Sequence, residues 1–275
     1  MSTPSTPEPI PEADETQNPY EAPQARVDDP GLEGLGELLE TPRALEFTRG
    51  LGWLAGGWEL FARAPATWIG IVILWMVIIG LILLGQSLVA NLAVGLVNTL
   101  FTGGLMYGCH ALTLERDGLG VEHLFAGLFR RFLGLALIGL AGSAASAAIL
   151  FGSFIAALGM PTGFNILVHG EAVAMMPDPV RLLLALLMVS ALMMPVMMAL
   201  WFAPALAILH DVPPGRALVL SFQGCLRNLM PFLAYGLGGA ILTVLAVLTL
   251  GLGWLALWPV LIASTYVAYR NIFTE

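Results

Sequence analysis

The sequence predicts an all-α membrane protein: six transmembrane helices form three hairpins, each preceded by a cytoplasmic interfacial amphipathic helix. Of its 275 residues, 58% are hydrophobic and 11% are charged, whereas a soluble domain has about a quarter charged residues. Four runs without Asp, Glu or Arg cover 64–114, 132–170, 182–210 and 228–269. A membrane helix needs roughly 20 apolar residues, so the first and last runs each have room for two spans and the others for one.

The N-terminal segment 1–42 is acidic and rich in proline, and we expect it to be a disordered cytoplasmic tail. Residues 1–46 contain eleven acidic residues against Arg26 and Arg43. Low hydrophobicity combined with high charge cannot offset the entropy lost on ordering. The first thirty residues contain no basic stretch followed by an apolar one, so we do not expect a cleaved signal peptide. The membrane domain is therefore predicted to cover residues 43–270.

Stretches with helical spacing of apolar residues precede the predicted pairs of spans. In the first, Phe47, Leu51, Leu54, Trp58 and Phe61 follow one another at steps of four, three, four and three, which places them on one helical face. The predicted elements are interfacial helices at about 43–63, 118–131 and 212–229, and spans at about 66–85, 88–112, 132–158, 181–205, 231–250 and 252–270. The repeated order predicts three similar units.

The arginines predict which ends of the spans lie in the cytoplasm. With both termini inside, eight arginines from Arg49 to Arg270 fall on the cytoplasmic side and Arg181 alone falls outside, as the positive-inside rule requires. Aromatic and basic side chains on interfacial helices favour the lipid headgroup zone. The residues expected to face lipid there are Trp53, Trp58, Arg63, Arg130, Arg131 and Arg227.

Several stretches resemble a known family. They are "GGWELFARAPATW", "GGLMYGCHALTLERDG", "LFAGLFRR" and "WFAPALAILHDVPPGRALVLSFQGCLRNLMPFLAYG". They resemble a family of uncharacterised bacterial six-span inner-membrane proteins, over about residues 48–270. The chain is more distantly similar to the membrane domains attached to some glycerophosphodiester phosphodiesterases. The resemblance implies the six-span topology and a place in the bacterial inner membrane, and it carries over no catalytic residue.

Methionines are concentrated in the fourth predicted span, which raises the question of a soft-metal site. Thioethers favour Cu(I). The candidate ligands are Met193, Met194, Met197, Met198, Met106 and Cys109. Flexible methionines also fill irregular gaps, and Pro195 and Pro204 are each expected to bend this helix. We favour packing over metal binding, so no metal or other cofactor is predicted.

A polar stripe runs along the second predicted span. Asn91, Asn98, Thr102 and Cys109 recur at steps of seven, four and seven, which keeps them within about 40° of one another around a helix. They would line a solute path, or they would hydrogen-bond to neighbouring spans as polar residues in membranes commonly do. We favour the second interpretation.

The functional expectations follow largely from what the predicted spans do not contain. None has Asp, Glu or Arg at its middle, which argues against a proton-coupled transporter. The histidines give no catalytic spacing, and His169 with Glu171 is a weak cation motif. We expect no enzymatic activity and no nucleic-acid partner.

The leading hypothesis is a non-enzymatic inner-membrane protein that organises or senses envelope lipids or partner proteins. Its expected partners are membrane lipids and either a second copy of the chain or another membrane protein. The alternative is a channel or transporter for a lipid or small solute. Copper handling through the methionines is the weaker alternative.

Overall fold

The computed structural model describes residues 32–85, 88–114, 118–160 and 178–275. Residues 1–31 of the predicted tail, and the His169 and Glu171 motif, lie outside this part of the chain. The described residues include ten complete helices. They are α1 (Arg49–Arg63), α2 (Pro65–Leu83), α3 (Leu88–Thr113), α4 (Glu122–Arg130), α5 (Phe132–Leu158), α6 (Pro179–Trp201), α7 (Ala203–Leu209), α8 (Pro214–Arg227), α9 (Leu229–Leu248) and α10 (Trp254–Phe273).

Five segments are long and apolar enough to cross a membrane. They are α2, α3, α5, the segment 179–209 that contains α6 and α7, and α9. The predicted spans over these segments have nearly the observed boundaries. The sixth predicted span corresponds to α10, which is not among the five. Its polar residues, including Ser264, Thr265, Tyr266, Tyr269 and Arg270, lower its hydropathy.

Helices α1, α4 and α8 lie within the predicted amphipathic stretches, although α1 begins at Arg49 and not at residue 43. A single non-helical residue separates each of them from the next helix. These residues are Ala64 (φ −148°, ψ 56°), Arg131 (φ −146°, ψ 43°) and Asn228 (φ −118°, ψ 30°). The three helices also pack alike, since α4 lies against α3, α8 against α6, and α1 against α10. Each amphipathic helix therefore packs on the second long helix of another predicted unit.

Trp53 does not face lipid, contrary to expectation. It is 1% exposed and packs inside the bundle, with ring centroids 5.3 Å from Phe232 and 6.0 Å from Tyr235. The reason is that α1 packs on both α9 and α10, so its two tryptophans have different surroundings. Trp58 is 56% exposed. The approach to α9 is close, because a Cβ at Gly50 would lie 1.9 Å from the carbonyl oxygen of Pro231.

The two prolines of the methionine-rich segment act differently. Pro195 lies inside the continuous helix α6. Pro204 occupies the first turn of α7, after the helix breaks at Phe202, so the bend expected at Pro204 is a break. A proline is tolerated in a first turn because its missing N–H would have no intrahelical partner there. All seven residues of α7 are buried, which places this short helix inside the bundle.

Candidate functional site

A cavity of about 1580 Å³ lies among α2, α3, α5, α6 and α10. Helix α9 contributes Tyr235 to its wall, and α7 contributes Pro204. None of the described residues lining the cavity is Asp, Glu, Arg, Lys or His. An uncharged cavity of this size, open over part of its surface, is suited to an apolar or amphiphilic ligand rather than to an ion.

One wall of the cavity is polar. The predicted stripe residues Asn91, Asn98 and Thr102 all line it from α3, and Ser143 and Ser146 line it from the neighbouring helix α5. The two helices approach closely here, since a Cβ at Gly95 would lie 1.8 Å from the Ser143 hydroxyl oxygen. The stripe and the two serines therefore form a continuous band of amide and hydroxyl groups.

Asn98 also links two helices. The indole N–H of Trp75 on α2 donates to the Asn98 side-chain oxygen at 2.9 Å, and Trp75 is 7% exposed. The stripe residue thus has the interhelical hydrogen bond that the packing interpretation requires, while it also lines the cavity. Both interpretations of Asn98 have a structural basis.

The rest of the wall is apolar and aromatic. Three helices contribute indole rings: Trp75 from α2, Trp201 from α6, and Trp254 and Trp258 from α10. The candidate soft ligands divide: Met106, Met193 and Met197 line the cavity, Met194 is 62% exposed, and Cys109 is fully buried. Met198 is partly buried against the main core. The exposure of Met194 argues against a copper site that would bring Met106 and Cys109 together with Met194 and Met198. Among the described residues, no group of three His, Cys, Asp or Glu side chains could hold a metal ion.

The packing order of the helices leaves one side of the cavity less closed. Helix α9 packs on α10, α10 on α2, α2 on α3, α3 on α5, and α5 on α6, so the long helices form an arc. The ends of the arc, α6 and α9, meet through the Trp201 ring, whose centroid lies 5.6 Å from that of Phe232 and 6.4 Å from that of Tyr235. Of the residues of α6, Ala185 alone is buried. The side between α6 and α9 is therefore the least closely packed side of the arc.

Residues 32–45, here called the strap, lie across the end of the bundle where α1, α4 and α8 are found. Residues 32–42 were expected to be disordered, yet Leu35 is 5% exposed. The backbone N–H groups of Leu39 and Arg43 each donate at 2.8 Å to α10, to the carbonyl oxygens of Phe273 and Ile272. The acidic composition of the whole segment conceals these few anchoring groups, which is why the expectation fails for 32–42.

Side chains from three helix ends hold the strap. His110 Nε2 on α3 lies 3.1 Å from the Glu33 carbonyl oxygen, and His210 Nε2, after α7, lies 3.1 Å from that of Gly36. Arg270 on α10 donates to the Gly34 carbonyl at 3.5 Å. A carbonyl only accepts, so each histidine carries its proton on Nε2.

Each strap-binding histidine also contacts a tyrosine of α10. His110 Nδ1 lies 2.8 Å from the hydroxyl of Tyr266, and His210 Nδ1 bonds to the hydroxyl of Tyr269. In the neutral ring with hydrogen on Nε2, the tyrosine donates to Nδ1. These histidines showed no catalytic spacing in the sequence, and the structure gives them a shared positioning role that only the three-dimensional contacts identify.

The interfacial arginines contact protein groups. Arg63 donates to the Leu112 carbonyl at 2.8 Å, and Arg227 to that of Pro42 at 2.9 Å. Arg130 donates to the Tyr107 hydroxyl at 2.6 Å and stacks over its ring, and Arg131 forms an ion pair with Asp211. All four side chains remain exposed, so these contacts orient the guanidinium groups at the bundle surface.

Comparison with known proteins supports a membrane location. Over 83 residues the chain is 43% identical to a probable inner membrane protein of Burkholderia thailandensis. The aligned region covers 30% of this chain. The chain spans about 29% of the length of that relative. No family model matches, and no solved structure matches. With the five apolar helices, the match shows a multi-pass membrane protein, and the similarity to glycerophosphodiester phosphodiesterase membrane domains is not shown.

Proposed function

We propose that this protein is a non-enzymatic inner-membrane protein that holds a membrane lipid in its cavity and so organises or senses envelope lipids. The observation that carries the proposal is the uncharged cavity of about 1580 Å³. Pockets for small molecules commonly measure about 300–1,000 Å³, so the cavity has room for a larger apolar ligand such as lipid acyl chains. The band of Asn, Thr and Ser groups would receive the polar part of such a ligand.

The proposed topology has six spans in three hairpins, with both termini in the cytoplasm. Helix α10 is the sixth span, because its 20 residues extend about 30 Å, the thickness of the hydrocarbon core. Its polar groups are compatible with a membrane position because they pair inside the bundle, as the Ser264 and Tyr235 hydroxyls do at 2.9 Å. A fluorescent protein fused after residue 275 should therefore fluoresce, and alkaline phosphatase fused there should be inactive. The opposite result would contradict the orientation.

Lipid retention tests the proposed ligand. Ala147 and Ala148 are adjacent on α5, but Ala147 lines the cavity whereas Ala148 is exposed. Because a tryptophan ring is large, Ala147→Trp places this ring inside the cavity and should reduce co-purification of the lipid from mild detergent, measured by mass spectrometry of extracts. Ala148→Trp should retain it. Retention of the same lipid by both variants would refute the proposal.

The second candidate is a channel or transporter for a lipid or small solute. The position of Asn91, Asn98 and Thr102 on the cavity wall favours it. Flux into vesicles should then fall for Asn98→Leu at unchanged stability, whereas a structural role of Asn98 predicts lower stability. Copper handling remains the weaker alternative. It would be refuted if no copper co-purified, or if copper persisted after Met→Leu substitution at positions 193, 194, 197 and 198.

A further inference from the structure

A second pocket lies at the strap end of the bundle, and arginines surround it. Its volume is about 510 Å³, and α1, α10, the end of α3 and the strap form its wall. Four of its lining residues are Arg43, Arg49, Arg63 and Arg270, against the acidic side chains of Glu59 and Glu275. The pocket shares no described lining residue with the lipid-sized cavity, so it is a separate site.

None of the four pocket arginines forms an ion pair with a carboxylate of the described residues. Among the described residues, arginine ion pairs occur elsewhere, between Arg131 and Asp211 and between Arg181 and Asp178. Arg63 and Arg270 each donate to a backbone carbonyl. The guanidinium groups of Arg43 and Arg49 have no hydrogen-bond or ion-pair partner within the described chain. Each therefore keeps its five N–H donors for another molecule or for water.

We propose that this arginine pocket binds a phosphate group that carries a negative charge. Arginine matches phosphate geometry, because its planar fork donates two parallel hydrogen bonds to two phosphate oxygens. The neutral groups in the wall add donors, since Thr113 and Asn271 line the same pocket. Two acidic side chains against four guanidinium groups leave the side chains of the wall with a net positive charge, which attracts an anion and discriminates against a neutral ligand.

A phospholipid headgroup and a soluble phosphate compound share this chemistry. The adjacent surface of α1 favours the headgroup, because Leu51 and Trp58 are 50% and 56% exposed on this helix. Exposed apolar and tryptophan side chains favour the boundary between lipid tails and headgroups. A phosphate in the pocket would therefore lie at the depth where headgroup phosphates are found. The proposal is independent of a lipid in the cavity.

Native mass spectrometry of the full-length protein in detergent tests the inference. It measures binding of short-chain phosphatidylglycerol, short-chain phosphatidylcholine and inorganic phosphate. Phosphatidylglycerol should bind, and Arg43→Gln with Arg49→Gln should weaken it by at least about tenfold, since two charged donors are lost. The control variant combines Arg181→Gln with Arg216→Gln. It removes the same charge from exposed positions outside the pocket. It should bind within about twofold of the unsubstituted protein.

Two further results complete the test. Glu59→Gln should strengthen binding, because it removes a like charge from the wall. If millimolar inorganic phosphate competes with phosphatidylglycerol for the pocket, the ligand is a soluble phosphate compound. If it does not compete, the ligand is the lipid headgroup. Equal loss in the Arg43/Arg49 and control pairs, or equal binding of phosphatidylglycerol and phosphatidylcholine, would overturn the proposal. Folding is checked by size-exclusion chromatography, and neither Arg43 nor Arg49 has a described side-chain partner to lose.

Discussion

The hydrogen bond between Trp75 and Asn98 permits a quantitative test of whether the polar stripe stabilises the fold. The donor is almost fully buried at 7% exposure, and the bond joins α2 to α3 at 2.9 Å. In a soluble protein, leaving a buried donor without its acceptor costs about 1–3 kcal/mol. In membranes the measured coupling is smaller, about 0.6 kcal/mol on average and up to about 1.7, because the unfolded chain also finds partners. We therefore expect a coupling of about 0.6–1.7 kcal/mol.

A double-mutant cycle isolates this term from changes in packing. Asn98→Leu removes the acceptor, Trp75→Phe removes the donor, and the double variant removes both. The free energy of unfolding of the four proteins is measured by steric trapping in bicelles, which does not depend on tryptophan fluorescence. Asn98→Leu should cost less in the Trp75→Phe background, because no donor is then left unsatisfied.

The matched control is Thr102→Val. Thr102 lines the same wall, and within the described chain its hydroxyl has no hydrogen-bond partner. Its substitution should leave stability nearly unchanged. A coupling below about 0.3 kcal/mol, the usual scatter of additive substitutions, would refute the stabilising role of Asn98. Loss of solute flux without loss of stability would then assign the stripe to a pathway.

Three further predictions follow from burial and close packing. Burial raises the pKa of the Cys225 thiol to about 12, so the thiol stays neutral at pH 8. Because the thiolate is the reactive form, maleimide should label Cys225 at pH 8 only after unfolding. Gly50→Ala should destabilise the protein in thermal unfolding, because the added Cβ meets the α9 backbone, whereas Gly52→Ala, with no atom within 4 Å, should be neutral or stabilising. Leu35→Asp should release the strap and speed tryptic cleavage after Arg43, with cleavage at an unchanged rate contradicting this.

The sequence predicts the helical elements well because each has a local signal. The charge-free runs mark the long helices, and the arginine-ended amphipathic stretches mark α1, α4 and α8. Contacts between distant parts of the chain have no such signal. The pattern of apolar residues predicts that both Trp53 and Trp58 lie at the membrane interface. Only the packing of α9 and α10 against α1 shows that their surroundings differ.

The cavity and the strap show the same limit. The stripe on α3 is visible at steps of seven and four, but the serines that extend it belong to α5, and their register depends on the close approach at Gly95. The strap is anchored by Leu35 and by backbone carbonyls, which are present at every residue and therefore leave no mark in composition. The role of His110 and His210 in holding the strap can be recognised only once the carbonyls that they contact are known.

The strap connects the three predicted units in a way that their helices alone do not. His110 lies near the end of the first unit, His210 just after the second and Arg270 near the end of the third. Each contacts a different carbonyl between residues 33 and 36. Gly34 and Gly36 have φ values of +70° and +84°, a region that suits glycine, so the backbone turns there and Leu35 enters the core. Substituting either glycine would strain the turn that presents these carbonyls. A single short segment thereby ties together the ends of three helices, and its Arg43 lines the arginine pocket beside them. Arg43 and Arg270 therefore take part both in the wall of that pocket and in the contacts that hold the strap.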